Sequence, residues 1–264
     1  MRKVSIYNSF MNDNNNKREY LKNKLKVNGF STSQNGELLI VIGGDGTFLS
    51  AIRKRLDQNP IFVGFNTGNL GFFSEFTMDK VDEFIQMLKR REYYIENIPV
   101  YEVRMRENGE ERIEYFVNDL VVERKSTRIL HMSVQVNEKN LCSVSADGLI
   151  ISSALGSTGY NVSAGGAISL DCENILQLTP ISPVTSKAYQ SLSDSIILSN
   201  RNELTIFPNY KKQREFRMVC DGKEIKSKNP RFIEIKKSNK EIRILRSKKF
   251  NPIQHLRNKM FDSE

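Results

Sequence analysis

Asp45 stands between glycines in Gly43-Gly44-Asp45-Gly46-Thr47, directly after the apolar run Leu38-Leu39-Ile40-Val41-Ile42. A buried strand that ends in glycines and opens a helix presents free backbone N–H groups at a positive helix terminus, and such a turn holds anions, phosphate among them. A carboxylate is electrostatically out of place in a phosphate cradle. Its presence points to a group that takes a proton or works with a metal ion. The loop lacks the Gly-Lys-Ser/Thr close of a Walker A sequence and the Gly-x-Gly-x-x-Gly spacing of the dinucleotide fingerprint. Those omissions argue against an ordinary nucleoside triphosphatase and an ordinary dehydrogenase. Taken alone, the loop is also consistent with a simple strand-to-helix turn in which Asp45 or Thr47 caps the helix.

Two further clusters carry unusual residues. Ala146-Asp147-Gly148 leads through Leu149–Ser153 to Gly156-Ser157-Thr158-Gly159-Tyr160-Asn161-Val162-Ser163-Ala164-Gly165-Gly166. So many small residues after an apolar strand suit a ligand that approaches the backbone closely; hydroxyls supply adaptable hydrogen bonds, and Tyr160 can stack on a base. The same block also reads as a glycine-rich turn leading to a short helix. Asn118-Asp119 interrupts the alternating run Tyr115-Phe116-Val117 and Leu120-Val121-Val122. Both are poor strand residues. An adjacent amide and carboxylate can bind the two hydroxyls of a ribose; a strand end or bulge is the other reading.

Alternating elements must position the first loop. The pattern predicts strands at 3–7, 37–42 and 61–65 and helices at 14–27, 47–56 and 77–88, an arrangement that implies a parallel sheet. A second glycine-rich loop, Asn66-Thr67-Gly68-Asn69-Leu70-Gly71-Phe72, follows the third strand. Near Pro99 the rhythm changes to short alternating strands, with a hairpin turn at Asn108-Gly109. Strands are predicted at 101–106, 112–117, 120–124, 130–136, 148–153, 195–198, 203–207, 216–220, 231–235 and 241–245. The expectation is an N-terminal Rossmann-like α/β domain over 1–98 and a C-terminal β-sandwich domain over 99–250, with a tail at 251–264 packing back on the first.

Composition bounds the rest. The 264 residues are 39% hydrophobic and 27% charged, a globular balance with no run long enough to cross a membrane. Cys142, Cys172 and Cys220 lack metal-ligand spacing and read as reduced, cytoplasmic thiols; His131 and His255 are too far apart to suggest a zinc site or a His-based triad. The net charge of +9 suits either nucleic acid or a solvated basic surface that attracts a polyanionic small molecule. Sparse aromatic residues among Lys236–Lys259 favour the latter, and no nucleic-acid or membrane partner is expected.

Gly43–Thr47, Asn66–Phe72, Asn118-Asp119, Asp147-Gly148 and Gly156–Gly166 together resemble the NAD kinase family, in its order and spacing and over nearly the whole chain. The acidic loop alone is shared with lipid kinases and phosphofructokinases; its combination with the glycine-serine block is specific. The resemblance implies phosphoryl transfer from ATP, or polyphosphate, to the adenosine ribose 2′-hydroxyl of NAD. It also implies a divalent metal, usually magnesium, and a homo-oligomer, dimer or tetramer, with a site between the two domains to which a neighbouring subunit contributes. By that resemblance Asp45 is the base. Gly43, Gly44, Gly46 and Thr47 hold phosphates, and Gly46 and Phe72 line the NAD pocket. Asn118 and Asp119 take ribose hydroxyls. Ser145, Asp147, Leu155, Thr158, Gly159, Tyr160, Asn161, Ser163 and Ser182 hold the remainder of NAD. Lys187 and Tyr160 are the residues a neighbouring subunit would lend. The resemblance assigns no metal ligands.

Several residues depart from the family pattern. Ser153-Ala154-Leu155 stands where Thr-Pro-Thr/Ser is common, and Leu155 lacks a hydroxyl. Gly159 replaces Ala, and Asp119 reaches one methylene less far than the usual Glu. Lys187 in place of Arg gives up a bidentate grip. These changes bear on affinity and on the choice between NAD and NADH. With Asp45 intact, an active enzyme is expected. The competing readings are a lipid kinase acting on a diacylglycerol or sphingoid base, which predicts a large apolar pocket, and a non-catalytic dinucleotide sensor, which predicts that Asp45→Asn changes nothing.

Overall fold

The computed structural model describes residues 3–8, 12–68, 71–107, 109–170, 174–184, 191–209, 215–227 and 230–261; Asn69, Leu70, Asn108, Cys172 and Lys187 lie outside them. The chain divides into two compact units, Met1–Ile98 with Glu241–Glu264, and Pro99–Lys240. No helix among the described residues is long and apolar enough to cross a membrane.

The first unit alternates β1 (Lys3–Asn8), α1 (Asn12–Val27), β2 (Ser31–Thr32), β3 (Leu38–Ile42), α2 (Asp45–Arg55), β4 (Ile61–Asn66), β5 (Ser74–Thr77) and α3 (Val81–Arg90). Its strands pair in parallel in the order β2-β1-β3-β4, and β5 continues in parallel beside the end of β4. Every residue of β3 and β4 is buried, as in a parallel sheet covered on both faces. Val81, Phe84, Ile85 and Leu88 form one apolar stripe of α3 at helical spacing, and Phe84 packs edge-on against Phe65 and Phe76. α1 stops at Gly29, whose φ of +85° only glycine adopts easily, and the Phe30 N–H closes the end on the Leu25 carbonyl.

The second unit is built from β6 (Tyr93–Glu107), which enters it from the first, then β7 (Glu110–Phe116), β8 (Asp119–Arg124), β9 (Leu130–Val136), β10 (Lys139–Ala146), β11 (Gly148–Ser153), the short helix α4 (Tyr160–Ser163), β12 (Ile175–Ile181), β13 (Ile196–Ser199), β14 (Leu204–Pro208), β15 (Phe216–Cys220) and β16 (Lys223–Ile225). β17 (Ile233–Ser247) then leads back, and α5 (Pro252–Met260) ends the described chain. One antiparallel sheet runs β13-β12-β11-β8-β15-β16; a second antiparallel set joins β10, β9, β14 and the first part of β17. Val134 and Val144 from the second set share one core with Leu120, Val122, Leu149 and Ile151 from the first. The expected α/β part followed by an all-β part is therefore the fold observed.

Some elements differ from the pattern-based expectation. The strands expected at 231–235 and 241–245 are parts of one strand, Ile233–Ser247, because the charged stretch between them stays extended, alternating half-buried and exposed side chains, and makes no turn. β6 begins at Tyr93, well before Pro99. β10 escapes the pattern because its first half is mostly exposed, which suits a sheet edge; among the described residues it pairs with β9 alone. β12 carries Gln177 and Pro180, poor signals for a strand that sits between β11 and β13; Pro180 stands near its end, opposite Leu149. In the first unit, Arg243 and Ile244 of β17 pair in parallel with Ile61 and Phe62, so the sheet under the acidic loop is completed by residues from the far end of the chain.

Candidate active site

The acidic loop is a turn that leaves β3 and starts α2. Gly43, at φ +150°, packs against Thr47, and its N–H bonds the Phe65 carbonyl at the end of β4. Gly44 is the N-cap, in extended conformation, and has no side chain to cap with. Gly44 and Gly46 are exposed, with nothing where a side chain would stand. The first turn of α2 is therefore a bare backbone surface suited to phosphate oxygens.

Asp45 does not cap the helix. Its carboxylate turns to the second glycine loop: the Phe72 N–H donates to Oδ2 at 2.9 Å and the Phe73 N–H to Oδ1 at 3.2 Å. Gly71 makes this contact possible, since a Cβ there would lie 2.2 Å from Asp45 Oδ1. One third of the Asp45 side chain stays accessible, and Lys259 Nζ stands 3.9 Å from Oδ2. A fixed, partly accessible carboxylate beside a bare helix start can orient a hydroxyl toward a phosphate and accept its proton.

In the second unit the Asn118-Asp119 step lies where β7 passes into β8. Asp221, in the turn between β15 and β16, takes the N–H groups of Val117 (2.9 Å), Asn118 (2.8 Å) and Asp119 (3.3 Å) on its carboxylate. From the other side the Ser153 N–H donates to the Asn118 carbonyl at 2.8 Å, and the Ser153 hydroxyl to the Val117 carbonyl at 2.5 Å. Gly156 packs so closely on Asn118 that a Cβ would fall 2.2 Å from its carbonyl oxygen. Asn118 Oδ1 is buried with no hydrogen-bond partner among the described residues, an acceptor of the kind a ligand hydroxyl satisfies. Asp119 is 9% exposed, and burial, joined by the charge of Asp221, pushes its carboxyl up to about 7.

The other expected residues of this unit divide into engaged and open ones. The Asn161 side chain is buried; it donates to the Ser157 and Ala167 carbonyls and accepts from the Thr179 hydroxyl at 2.7 Å, so its polar atoms hold the loop together. The Ser145 hydroxyl lies 2.9 Å from His131 Nδ1. Asp147 forms an ion pair with Arg124 at 2.9 Å. Leu155 and Thr158 are half-buried, while Gly159, Tyr160, Ser163 and Ser182 are exposed. Burial and the nearby charges of Glu123 and Asp147 raise the Tyr160 phenol above its ordinary value. Lys187 lies outside the described residues.

Sequence reasoning missed Asp221 and Lys259. Asp221-Gly222 reads only as a hairpin turn, and Lys259 sits in a run of basic residues. Neither position shows which backbone or carboxylate it meets. Among the described residues no group of three His, Cys, Asp or Glu side chains could hold a metal ion. A divalent ion that keeps waters and takes phosphate oxygens, as magnesium does, fits these residues only when it arrives with the phosphates of a nucleotide.

The model of the ATP-NAD kinase N-terminal domain matches residues 8–93, and that of the C-terminal domain residues 117–247. Yeast NADH kinase, solved in complex with NADH, superposes with a TM-score of 0.85 over 100% of this chain and 89% of its own, at 17% identity. An NAD kinase from Archaeoglobus fulgidus, solved in complex with ATP, gives 0.76 over 97% and 96%, at 19% identity. These two similarities show a shared fold. The NAD kinase of Finegoldia magna is 35% identical over 211 residues, which span 76% of this chain and 77% of that protein. With both family models matched in order and a relative this similar over most of its length, the chain belongs to the NAD kinase family of phosphotransferases.

Proposed function

We propose that this chain transfers the γ-phosphoryl group of ATP to the 2′-hydroxyl of the adenosine ribose of NAD, giving NADP and ADP. The observation that carries this reading is the Asp45 carboxylate, locked by the Phe72 and Phe73 N–H groups beside the bare glycines that open α2. The bond from ribose O2′ to the γ-phosphorus forms, the bond to the bridging oxygen of ADP breaks, and the hydroxyl proton passes to the Asp45 carboxylate. A sugar hydroxyl is far too weak an acid to ionise beforehand, so the proton moves as the new bond forms, and positioning carries most of the acceleration.

In this reading Gly43, Gly44, Gly46 and Thr47 hold phosphate oxygens, and Phe72 lines the NAD pocket. Asn118 Oδ1 and the Asp119 carboxylate accept ribose hydroxyl protons, an assignment supported by the unpartnered buried oxygen of Asn118. Ser145, Asp147, Leu155, Thr158, Gly159, Tyr160, Ser163 and Ser182 face the remainder of the dinucleotide, and Asn161 shapes that loop from behind. Magnesium bound with ATP would neutralise phosphate charge. A cytoplasmic setting suits Cys142 and Cys220, neither of which is in a disulfide, and a homo-oligomer to which Tyr160 and Lys187 contribute completes the proposal.

The test is NADP formation by the purified protein given NAD, magnesium and either ATP or polyphosphate. The wild type should turn over. Asp45→Asn should remain folded and lose about 10²- to 10⁴-fold in kcat. A fully active Asp45→Asn protein would refute the role given to this carboxylate. Binding of NAD without turnover would favour a sensor, and absence of both would favour a lipid substrate.

A further inference from the structure

A carboxylate in a phosphate-binding turn repels the phosphates it is meant to serve, and the fold places a cation against it. α5 begins with a well-formed cap: the Asn251 side chain accepts the N–H groups of Ile253 and Gln254, and Pro252 stands at the first helical position. Its direction is set by the stretch before it, where the Arg246 guanidinium lies 4.5 Å over the Phe250 ring and is itself paired with Glu96 at 2.8 Å. His255 and Lys259 are four residues apart and share one helix face. His255 Nε2 lies 3.3 Å from the Phe72 carbonyl, and the two rings meet edge to face. One turn on, Lys259 Nζ lies 3.8 Å over the Phe72 ring and 3.9 Å from Asp45 Oδ2.

The Lys259 side chain is only 9% exposed. Burial holds its ammonium below the ordinary lysine value, and Asp45 works in the opposite direction. A desolvated ammonium retains its charge best beside an anion, and Asp45 and the Phe72 ring face supply that environment. The residue from which Asp45 takes one of its two backbone donors is thus the residue on which Lys259 rests.

We propose that Lys259 is a positioning residue of the active site, which neutralises Asp45 and steadies Phe72 so that the polyphosphate of the donor can approach the glycine turn. This inference rests on the kinase reading above. It makes the last helix part of the phosphate-binding machinery, and it predicts that loss of the cation falls on the nucleotide side of the reaction.

The test is a double-mutant cycle read by calorimetric binding of magnesium–ATP to the full chain, using wild type, Lys259→Met, Asp45→Asn and the double variant, with Lys259→Arg as the conservative replacement. Lys259→Met keeps the aliphatic stem and should unfold near the wild-type temperature. Its Kd for ATP should rise about tenfold, with KM for ATP rising alongside it and KM for NAD little changed. Lys259→Arg should recover most of the affinity. In the Asp45→Asn background, with no carboxylate left to neutralise, Lys259→Met should alter ATP binding by no more than about twofold. A wild-type enzyme that makes NADP, but whose ATP affinity is unchanged by Lys259→Met, would overturn the inference. So would a full tenfold loss that persists beside Asp45→Asn. A wild type that makes no NADP is a different failure, and refutes the kinase reading itself.

Discussion

Asp45 and Asp119 are the same residue in two electrostatic settings. Asp45 is one third accessible, and each of its oxygens faces an N–H, with a lysine beside one of them. Asp119 is nearly sealed, and its closest charged influence is another carboxylate, Asp221. At Asp221 the three backbone N–H groups of residues 117–119 converge. Those donors stabilise the charge of Asp221; burial first, and that neighbouring charge second, push the Asp119 carboxyl up to about 7. A carboxylate that must meet phosphates benefits from fixed donors and a cation. One that must bind sugar hydroxyls can remain on the edge of ionisation.

Breaking the first setting should produce the larger effect. Gly71→Ala drives a methyl group toward Asp45 Oδ1, which lies 2.2 Å from the position a Cβ would take. The carboxylate or the backbone of the second loop must move, and a displacement near 1 Å at a reacting group costs about 10²-fold in rate. Steady-state kinetics should show the loss in kcat, with thermal unfolding little changed. Full activity in Gly71→Ala would mean that the Phe72 and Phe73 N–H groups need not hold Asp45 for turnover.

The second setting should answer first in stability. Asp221→Ala removes the acceptor of three N–H groups and should destabilise the protein by about 2–3 kcal/mol in chemical denaturation. It should also release Asp119 from a neighbouring negative charge and lower the pH at which it ionises. An unfolding midpoint equal to that of the wild type would show that solvent replaces those bonds at no cost.

The smallest expected effect is the sharpest probe of the contrast. In the proposed site, ionised Asp119 accepts a ribose hydroxyl, so NAD binding should tighten as pH rises through about 7. The gain should be about tenfold between pH 6 and pH 8, absent from Asp119→Asn. The fold responds with the opposite sign. A carboxyl raised from 3.8 to about 7 contributes stability that is complete below its unfolded value and is lost as pH climbs through the folded one. Asp119→Asn should therefore flatten the pH dependence of stability between about 4 and 7. A pH-independent wild-type affinity for NAD would remove Asp119 from the ribose.

The local half of the fold was legible because it is written in neighbouring residues. Unbroken apolar runs marked β3 and β4, and the glycines after β3 announced a turn that only small residues can make. Strands that meet solvent or polar neighbours on one face, such as β10 and β12, carry a diluted signal, because their place in a sheet comes from partners distant in the chain. The same division runs through the candidate site. Asp45, Asn118 and Asp119 stand out by residue type against their immediate context. Asp221, 102 positions from Asp119, is indistinguishable from a turn aspartate until the backbone it serves is brought to it.

The sequence by itself determined an α/β half followed by a β-rich half, a glycine turn with one carboxylate, and the family to which that combination points. Tertiary structure alone decided what the carboxylates experience. It turned Asp45 away from its own helix and onto the Phe72 and Phe73 N–H groups, carried Lys259 back from the far end of the chain, and closed Asp119 in beside Asp221. Ionisation depends on desolvation and on charges within a few ångströms, and those distances arise only when the chain has folded.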